Sequence, residues 1–197
     1  MRFLHFFTNI KKEMRDALMK LVPLTIDSPE NLILASIFEE VFPPEERISI
    51  EDLYRPSQLD GYAVLGVSFH GEIIGFLAFF RQDNLIYLCF FGVAPKHQNR
   101  RYGSMALQLL REQYPHCILL ADIEKEDFSA ANIGQRKRRK QFYKRNGFLE
   151  TGWNLFYMNT EFELLCTDDA FAMQSFLSIL YRLQEVVPEF QFRCFQK

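Results

Sequence analysis

Apolar residues recur at helical spacing in some stretches and in strand-like runs in others, which predicts a mixed α/β chain. In SPENLILASIFEEVF, Ile33 and Ile37 lie one helical turn apart. Ser28 is a capping-type residue and is followed by proline, so we expect the helix to start there and to stop at Pro43 and Pro44. The following stretch EERISIEDLYR predicts a second, shorter helix.

Three strand-like runs follow in YAVLGVSFHGEIIGFLAFFRQDNLIYLCFFGVAP. Their separators are His70-Gly71 and Gln82-Asp83-Asn84, which are residues typical of tight turns. Short connections of this kind join antiparallel strands, so the pattern predicts a meander of three strands.

A helix, a buried strand and a second helix come next. SMALQLLREQY has helical spacing up to Pro115, and CILLADIE is continuously apolar, as in a buried strand. A crossover of this length predicts that the third meander strand and CILLADIE are parallel neighbours. IGQRKRRKQFYKRNGF then predicts a basic helix ended by Asn146-Gly147.

The C-terminal part predicts a closing pair of strands in ETGWNLFYMN and FELLCT, then a helix from about Asp168 to Val187. The chain length suits one well-buried domain. We expect an N-terminal extension over residues 1–23, in which residues 1–20 could form an amphipathic helix, and a domain over 24–167. Residues 168–197 would form an amphipathic helix and tail that packs on the domain or makes a homodimer contact.

Composition and charge narrow the functional classes. A net charge of -2 and a pI near 6.1 argue against a surface built for nucleic acid or an anionic membrane. The four cysteines lie far apart, so their spacing predicts no metal site. No run reaches transmembrane length and the start lacks a signal-peptide pattern, so we expect a cytoplasmic location.

The loop before the helix that begins near Tyr102 is a candidate anion site. A helix start exposes unpaired N–H groups and carries about half a positive charge. Gly103 permits close approach of a ligand, and Gln98, Arg100 and Arg101 add donors, which together suit a pyrophosphate. The P-loop pattern and the dinucleotide-binding pattern GxGxxG are both missing from the sequence.

VAPKHQNRRYGS, followed by a helix, a strand and FYKRNGF, resembles the GNAT superfamily of acetyl-CoA-dependent N-acetyltransferases. In the family loop Q/R-x-x-G-x-G/A, backbone amides hold the coenzyme A pyrophosphate. Gln98 and Gly103 match its first and last positions, whereas Arg101 stands at the first glycine, so the loop could follow a different backbone path. Tyr143, Gly147 and Phe148 match the second signature, Y-x-x-x-G-F.

The resemblance spans about residues 24–167 and implies a single GNAT-type α/β domain. Its central sheet is mixed, mostly antiparallel and splayed between the fourth and fifth strands, with helices on its flanks. The implied activity is transfer of an acetyl group from acetyl-CoA, as cosubstrate, to a primary amine of a small molecule or protein. The implied coenzyme-binding residues are Gly92, Val93, Gln98, Asn99, Arg100, Arg101, Tyr102, Gly103 and Ser104.

The resemblance also assigns catalytic roles. Tyr143 would be the general acid beside the coenzyme A sulfur. The strand YLCFFGVAP lacks the carboxylate that many family members carry, so the base is open. Glu124, at the end of CILLADIE, is the nearest candidate, with Asp122 on the same strand face. Both could instead be solvated strand-end carboxylates, with water serving as the base.

Two alternatives from other classes stay open. The altered loop and the missing carboxylate would suit a non-catalytic acyl-CoA-binding module. The basic helix 135–145, beginning QRKRRK, would suit an RNA-associated protein. Within the family reading, Arg136, Arg138 or Arg139 could meet the coenzyme's 3′-phosphate or simply form a solvated helix face.

Overall fold

A computed structural model of the chain describes residues 18–168 and 171–196. Within these ranges lie eight strands and five α-helices. In chain order they are β1 (Met19–Leu24), α1 (Asn31–Val41), α2 (Ile50–Tyr54), β2 (Tyr62–Phe69), β3 (Glu72–Gln82), β4 (Leu85–Val93), α3 (Tyr102–Gln113), β5 (Ile118–Glu124), α4 (Ile133–Arg145), β6 (Leu149–Tyr157), β7 (Thr160–Cys166), α5 (Met173–Val186) and β8 (Arg193–Gln196).

The eight strands form one sheet in the order β1-β2-β3-β4-β5-β7-β6-β8. Pair β4/β5 is parallel, whereas β1/β2, β5/β7, β6/β7 and β6/β8 are antiparallel. The turn at His70-Gly71, with φ of 51° and 83°, has the left-handed backbone that tight hairpins need. The predicted α/β class with a mixed, mostly antiparallel sheet is confirmed.

The parallel ladder between β4 and β5 is short. It runs from Leu85 opposite Ile118 to Leu88 opposite Ala121, although both strands continue beyond these residues. The backbone groups of the two strands therefore stop pairing inside the strands, which opens the sheet there. This confirms the predicted splay between the fourth and fifth strands.

The described residues fall into two compact units. The first contains residues 18–50, 64–77 and 91–115, and the second contains residues 51–63, 78–90, 116–168 and 171–196. In the first unit α1 supplies the core residues Leu34, Ile37 and Phe38, at most 2% exposed. The Phe38 ring lies 5.0 Å from that of Phe76 in β3, so α1 covers this part of the strand.

Helix α1 begins at Asn31, so the predicted start at Ser28 is wrong. The Ser28 hydroxyl oxygen accepts a hydrogen bond from Thr25 N at 2.9 Å. The Asn31 side chain donates to the carbonyl oxygens of Thr25 and Ile26 at 3.0 and 2.8 Å. Both polar side chains are used by the turn before the helix, which delays the helix start.

Strand β1 lies inside the predicted N-terminal extension. It pairs with β2 from Met19 opposite Phe69 to Leu24 opposite Val64. The sheet therefore begins at Met19. Residues 1–17 of the predicted amphipathic helix lie outside the described residues, and Met19 and Lys20 are in a strand rather than a helix.

The C-terminal segment is part of the second unit. Phe176, Ile179 and Leu180 of α5 are fully buried in a core with Leu120 and Leu155. Helix α5 begins at Met173, later than the predicted Asp168. Strand β8, which the sequence did not predict, pairs with β6; four residues give too short a pattern to be recognised.

Candidate active site

The start of α3 is open to a ligand. Its first backbone hydrogen bond runs from Met105 N to Arg101 O at 3.0 Å, and no side chain caps the helix. The N–H groups of Tyr102, Gly103 and Ser104 therefore lack partners within the helix. The first turn contains no acidic residue, so the positive end of the helix dipole is not neutralised there.

Arg101 takes the backbone conformation that glycine usually supplies. Its φ of 67° and ψ of 6° are left-handed, and Asn99 also has a positive φ of 60°. Asparagine tolerates this region, whereas arginine pays about 1–2 kcal/mol for it. Arg101, at the position of the motif's first glycine, therefore adopts a left-handed turn that glycine would also allow.

A hydrogen bond from the Gln98 side chain braces the loop. Gln98 Nε2 donates to Val93 O at 2.9 Å and ties the end of β4 to the residues before α3. Gly92 is buried against α1, because a Cβ there would lie 2.9 Å from Ile37 and 3.1 Å from Phe42. Gln98 thus links the loop to the end of β4, and Gly92 allows the close packing of β4 against α1.

The loop before α3 carries exposed positive charge, and the tyrosine that follows it is packed against a neighbouring ring. The Tyr102 ring is 8% exposed and lies 4.8 Å from that of Phe69. Arg100 and Arg101 are exposed, and neither forms an ion pair within residues 18–168 and 171–196. Two exposed guanidinium groups next to unpaired N–H groups suit a pyrophosphate, so the residues present fit the predicted coenzyme.

Tyr143 is fixed by the end of α4. Phe148 N donates to Tyr143 O at 3.1 Å and Gly147 N donates to Lys144 O at 3.1 Å, the pattern of a Schellman motif. Gly147 has a φ of 82°, and the rings of Tyr143 and Phe148 meet at 5.0 Å. The Y-x-x-x-G-F signature therefore positions the tyrosine through the helix end.

Glu124 is a buried ion-pair partner. Its side chain is 0% exposed, and its two oxygens lie 2.8 Å from Arg136 Nη2 and 3.0 Å from Arg139 Nη1. Asn132 Nδ2 also donates to Glu124 Oε1 at 3.0 Å. It is therefore not the solvated carboxylate considered from the sequence. Its oxygens are occupied by three cationic or amide donors, which is a poor arrangement for a proton acceptor.

Asp122, two residues earlier, has a different environment. Its Oδ1 accepts from the Tyr87 hydroxyl at 2.9 Å, and its Oδ2 accepts from the Tyr157 hydroxyl at 2.8 Å. Burial has the largest effect on the pKa of Asp122 and raises it above its ordinary value. The hydrogen bonds from the two tyrosines and the charge of Arg139 lower this pKa but do not outweigh burial. A carboxylate has about four lone pairs, so two hydroxyl partners leave room for a further donor.

Sequence reasoning missed the two tyrosines. Asp122 follows Ala121, the last residue of β5 that pairs with β4, so it lies where the parallel ladder stops. Tyr87 is on β4 and Tyr157 ends β6, far apart along the chain. Only the strand order brings both rings to one carboxylate. The sequence offers one general signal: the hydroxyl of a tyrosine in an apolar strand usually has a hydrogen-bond partner.

The basic helix α4 is paired with acidic residues of the neighbouring strands. Lys140 Nζ lies 2.8 Å from Glu163 Oε2, and Lys144 Nζ lies 3.3 Å from Glu150 Oε1. Arg136 and Arg139 bind Glu124, as described above. Much of the positive charge in QRKRRK is thus paired with acidic residues within the second unit. This pairing weakens the hypothesis of an RNA-associated protein and the hypothesis that Arg136 or Arg139 contacts the 3′-phosphate.

The predicted site residues fall into two groups. Gly92 to Ser104 form one continuous stretch of the first unit, whereas Glu124 and Tyr143 belong to the second unit. In the described part of the chain no cluster of histidine, cysteine or carboxylate side chains could hold a metal ion. No helix among the described residues is long and apolar enough to span a bilayer.

Comparison with protein families gives a match to the family described as "Acetyltransferase (GNAT) family" over residues 31–148. That range contains the whole loop before α3, both carboxylates of β5 and the Y-x-x-x-G-F signature. No curated protein matches the chain by sequence.

Solved structures of this family share the fold. A Bacteroides thetaiotaomicron protein assigned to the GNAT family has a TM-score of 0.64 at 20% identity, covering 87% of this chain and 99% of its own. The ribosomal-protein-S18-alanine N-acetyltransferase of Escherichia coli has a TM-score of 0.57 at 15% identity, covering 78% and 96%. An Elizabethkingia anophelis GNAT acetyltransferase with acetyl-CoA bound has a TM-score of 0.52 at 17% identity, covering 77% and 98%.

Proposed function

The chain belongs to the acetyltransferase (GNAT) family, and on that premise we propose that it transfers an acetyl group from acetyl-CoA to a primary amine. The observation that carries the proposal is the uncapped start of α3 behind the left-handed Arg101, in a chain whose residues 31–148 match the family. Structural relatives with bound acetyl-CoA support the choice of cosubstrate.

The loop of the first unit would hold the pyrophosphate. Unpaired N–H groups of Tyr102, Gly103 and Ser104 point out of the helix start, and Arg100 and Arg101 add charge. Charge-assisted hydrogen bonds of this kind contribute roughly 1.5–3 kcal/mol each. Gln98 braces the loop through Val93, so it acts on the shape of the site rather than on the phosphates.

Tyr143 would supply the proton for the leaving thiolate. Acetyl-CoA, when bound, supplies the thioester that the amine attacks, and a positioned phenol can protonate the departing sulfur. Support comes from the family signature and from the Schellman motif that fixes Tyr143 at the end of α4. A residue held by the backbone of its helix loses little freedom when it acts.

Asp122, rather than Glu124, would accept the proton of the attacking amine. Glu124 has both oxygens occupied by arginines, whereas Asp122 has two tyrosine partners and spare lone pairs. A pKa raised by burial brings a carboxylate closer to the working pH of a general base. Glu124 is then the anchor that holds Arg136 and Arg139 on α4.

Two measurements test the function. The thermal midpoint should rise with acetyl-CoA but not with NADH at equal concentration, because a ligand of the native state stabilises it by mass action. Thiol release from acetyl-CoA with a panel of amines should then be fast in the wild type and at least about 100-fold slower in Tyr143→Phe.

The outcomes separate the function from its alternatives. A midpoint shift without thiol release for any primary amine would favour the non-catalytic acyl-CoA-binding module. Equal turnover by Tyr143→Phe and wild type would remove the acid role of Tyr143. The absence of any shift with acetyl-CoA would contradict the proposed coenzyme site.

A further inference from the structure

Two aromatic residues enclose the ring of Tyr157. The Phe162 ring stacks on it with centroids 4.4 Å apart and planes inclined by 15°. The Phe190 ring meets it at 5.3 Å and 60°. With its ring held in this way, the Tyr157 hydroxyl donates to Asp122 Oδ2 at 2.8 Å.

Phe190 lies in the turn that joins α5 to β8. Its N–H donates to Val187 O at 2.8 Å, and its carbonyl accepts from Gln184 Nε2 at 3.1 Å. The preceding residue, Glu189, forms an ion pair with Arg55. The turn is therefore tied to α5 and to the segment after α2, both in the second unit.

This turn belongs to the part of the chain that the family match does not include, since the match ends at residue 148. We infer that Phe190 is a positioning residue of the acetyl transfer: it holds the Tyr157 ring so that its hydroxyl stays bonded to Asp122. The inference rests on the proposed role of Asp122 as proton acceptor. It gives the C-terminal segment a function in the reaction.

Loss of the Phe190 ring would remove the contact that the Tyr157 ring makes at 5.3 Å and open space on that side, into which the Tyr157 ring could turn. Asp122 would then lose the hydroxyl that its Oδ2 accepts. The other groups that face Asp122 are Tyr87 and Cys89 from β4 and Arg139 from α4. None of these changes when Phe190 is replaced.

Loss of this hydrogen bond at unchanged burial has a definite effect on the pKa of Asp122. The Tyr157 hydroxyl lowers that pKa, so loss of the hydroxyl raises it further, and Tyr157→Phe isolates this effect from any change in burial. The acidic limb of kcat/KM, calculated on the concentration of unprotonated amine at each pH, should move to higher pH, because more Asp122 is protonated and unable to accept a proton. A residue that only supports stability would lower the thermal midpoint without moving this limb.

The test compares Phe190→Ala with Phe190→Leu and Phe171→Ala. Phe171 is, like Phe190, a partly buried phenylalanine packed against the core of the second unit, and among the described residues it is not one of the rings that contact Phe190 or Tyr157, so it is a matched control. With purified full-length protein and saturating acetyl-CoA, we expect Phe190→Ala to lower kcat about tenfold, the effect of one lost hydrogen bond, and to shift the limb upward. Phe190→Leu should restore most of both, and Phe171→Ala should leave the limb in place.

Two further variants distinguish failure of this inference from failure of the proposed role of Asp122. Tyr157→Phe removes the hydroxyl alone and should reproduce the limb shift even if Phe190→Ala does not fold. Asp122→Asn tests the proposed proton acceptor: an unchanged acidic limb in this variant would refute that role and the inference with it. If Asp122→Asn abolishes the limb but neither Phe190→Ala nor Tyr157→Phe moves it more than Phe171→Ala does, the inference alone is overturned.

Discussion

Arg136 Nη2 lies 2.8 Å from Oε1 of Glu124, whose side chain is completely buried. Removal of one partner of a buried ion pair leaves an uncompensated charge, which costs roughly 3–5 kcal/mol. Glu124→Gln should therefore lower the free energy of unfolding by about 3 kcal/mol. Urea denaturation followed by far-ultraviolet circular dichroism measures this loss.

The same variant should keep most of its activity at a temperature well below its midpoint. A lost general base lowers the rate by about 100-fold or more, so a decrease of less than about tenfold would support an anchoring role. Glu126→Gln, in the loop after β5, is the control for loss of a carboxylate in this region. If Glu124→Gln had native stability and no turnover, Glu124 would be a catalytic residue and not an anchor.

Asp122→Asn should lower kcat by about 100-fold or more, because an amide cannot accept the amine proton. In the wild type, activity should fall as the pH decreases through the pKa of Asp122, since protonation removes the acceptor. That pKa is raised by burial, so the acidic limb should lie above about 3.9, the value of an exposed aspartate. The pH profile of kcat/KM, calculated on the concentration of unprotonated amine, measures both effects.

The raised pKa of Asp122 also predicts how the stability of Asp122→Asn compares with that of the wild type at different pH values. A raised pKa means that the folded state binds the proton more tightly than the unfolded state does. The stabilisation is present below about pH 3.9 and is lost as the pH rises through the pKa of Asp122. At pH 8 the variant, which has no charge to bury, should be at least as stable as the wild type. A large loss of stability of Asp122→Asn at this pH would contradict a raised pKa for Asp122.

Arg101→Gly and Arg101→Ala separate the backbone role of this residue from its charge. Both remove the guanidinium and should weaken acetyl-CoA binding about tenfold or more, measured by isothermal titration calorimetry. Only glycine relieves the left-handed backbone at φ 67°, so Arg101→Gly should be about 1 kcal/mol more stable than Arg101→Ala.

Arg145→Ala is the control, because Arg145 is an exposed arginine at the end of α4 and is not one of the residues considered for a coenzyme contact. Its acetyl-CoA affinity should equal that of the wild type. Unchanged affinity in both Arg101 variants would exclude a phosphate contact for this side chain. Equal stability of the two would mean that the left-handed turn at Arg101 carries no strain.

Lys140→Met should destabilise the protein by roughly 3 kcal/mol at pH 7, because it leaves the buried Glu163 without the ammonium 2.8 Å away. Partial burial works to lower the pKa of Lys140, but the hydrogen bond and charge of Glu163 and the charge of Glu150 raise it overall. The stabilisation is therefore complete below about pH 10.4 and disappears as the pH rises through the raised pKa.

Arg138→Met is the matched variant on the same helix and should change stability by less than about 0.5 kcal/mol. Adding Glu163→Gln to Lys140→Met should recover part of the loss, since it removes the buried charge that has lost its ammonium partner. A thermal midpoint for Lys140→Met equal to that of Arg138→Met would show that the pair contributes nothing to stability.

The elements with a local signal could be predicted from the sequence. Turn residues such as His70-Gly71 define the meander, and Gly147 with its left-handed φ ends α4 where the signature requires it. These features depend on neighbouring residues along the chain. Two predictions failed for different reasons. Helix α1 starts late because a local turn uses the side chains of Ser28 and Asn31, whereas β8 exists because β6, distant along the chain, offers it an edge.

The sequence by itself determined the family loop, the signature tyrosine and the order of the elements from α1 to α5, because each is encoded by residues close together in the chain. It could not choose between Glu124 and Asp122, which stand two positions apart on the same strand face. Tertiary structure decided that choice: α4 brings two arginines to Glu124, whereas β4 and β6 bring two tyrosine hydroxyls to Asp122. The proton affinity of a buried carboxylate depends on such long-range partners and on loss of water, and neither is written in the local pattern.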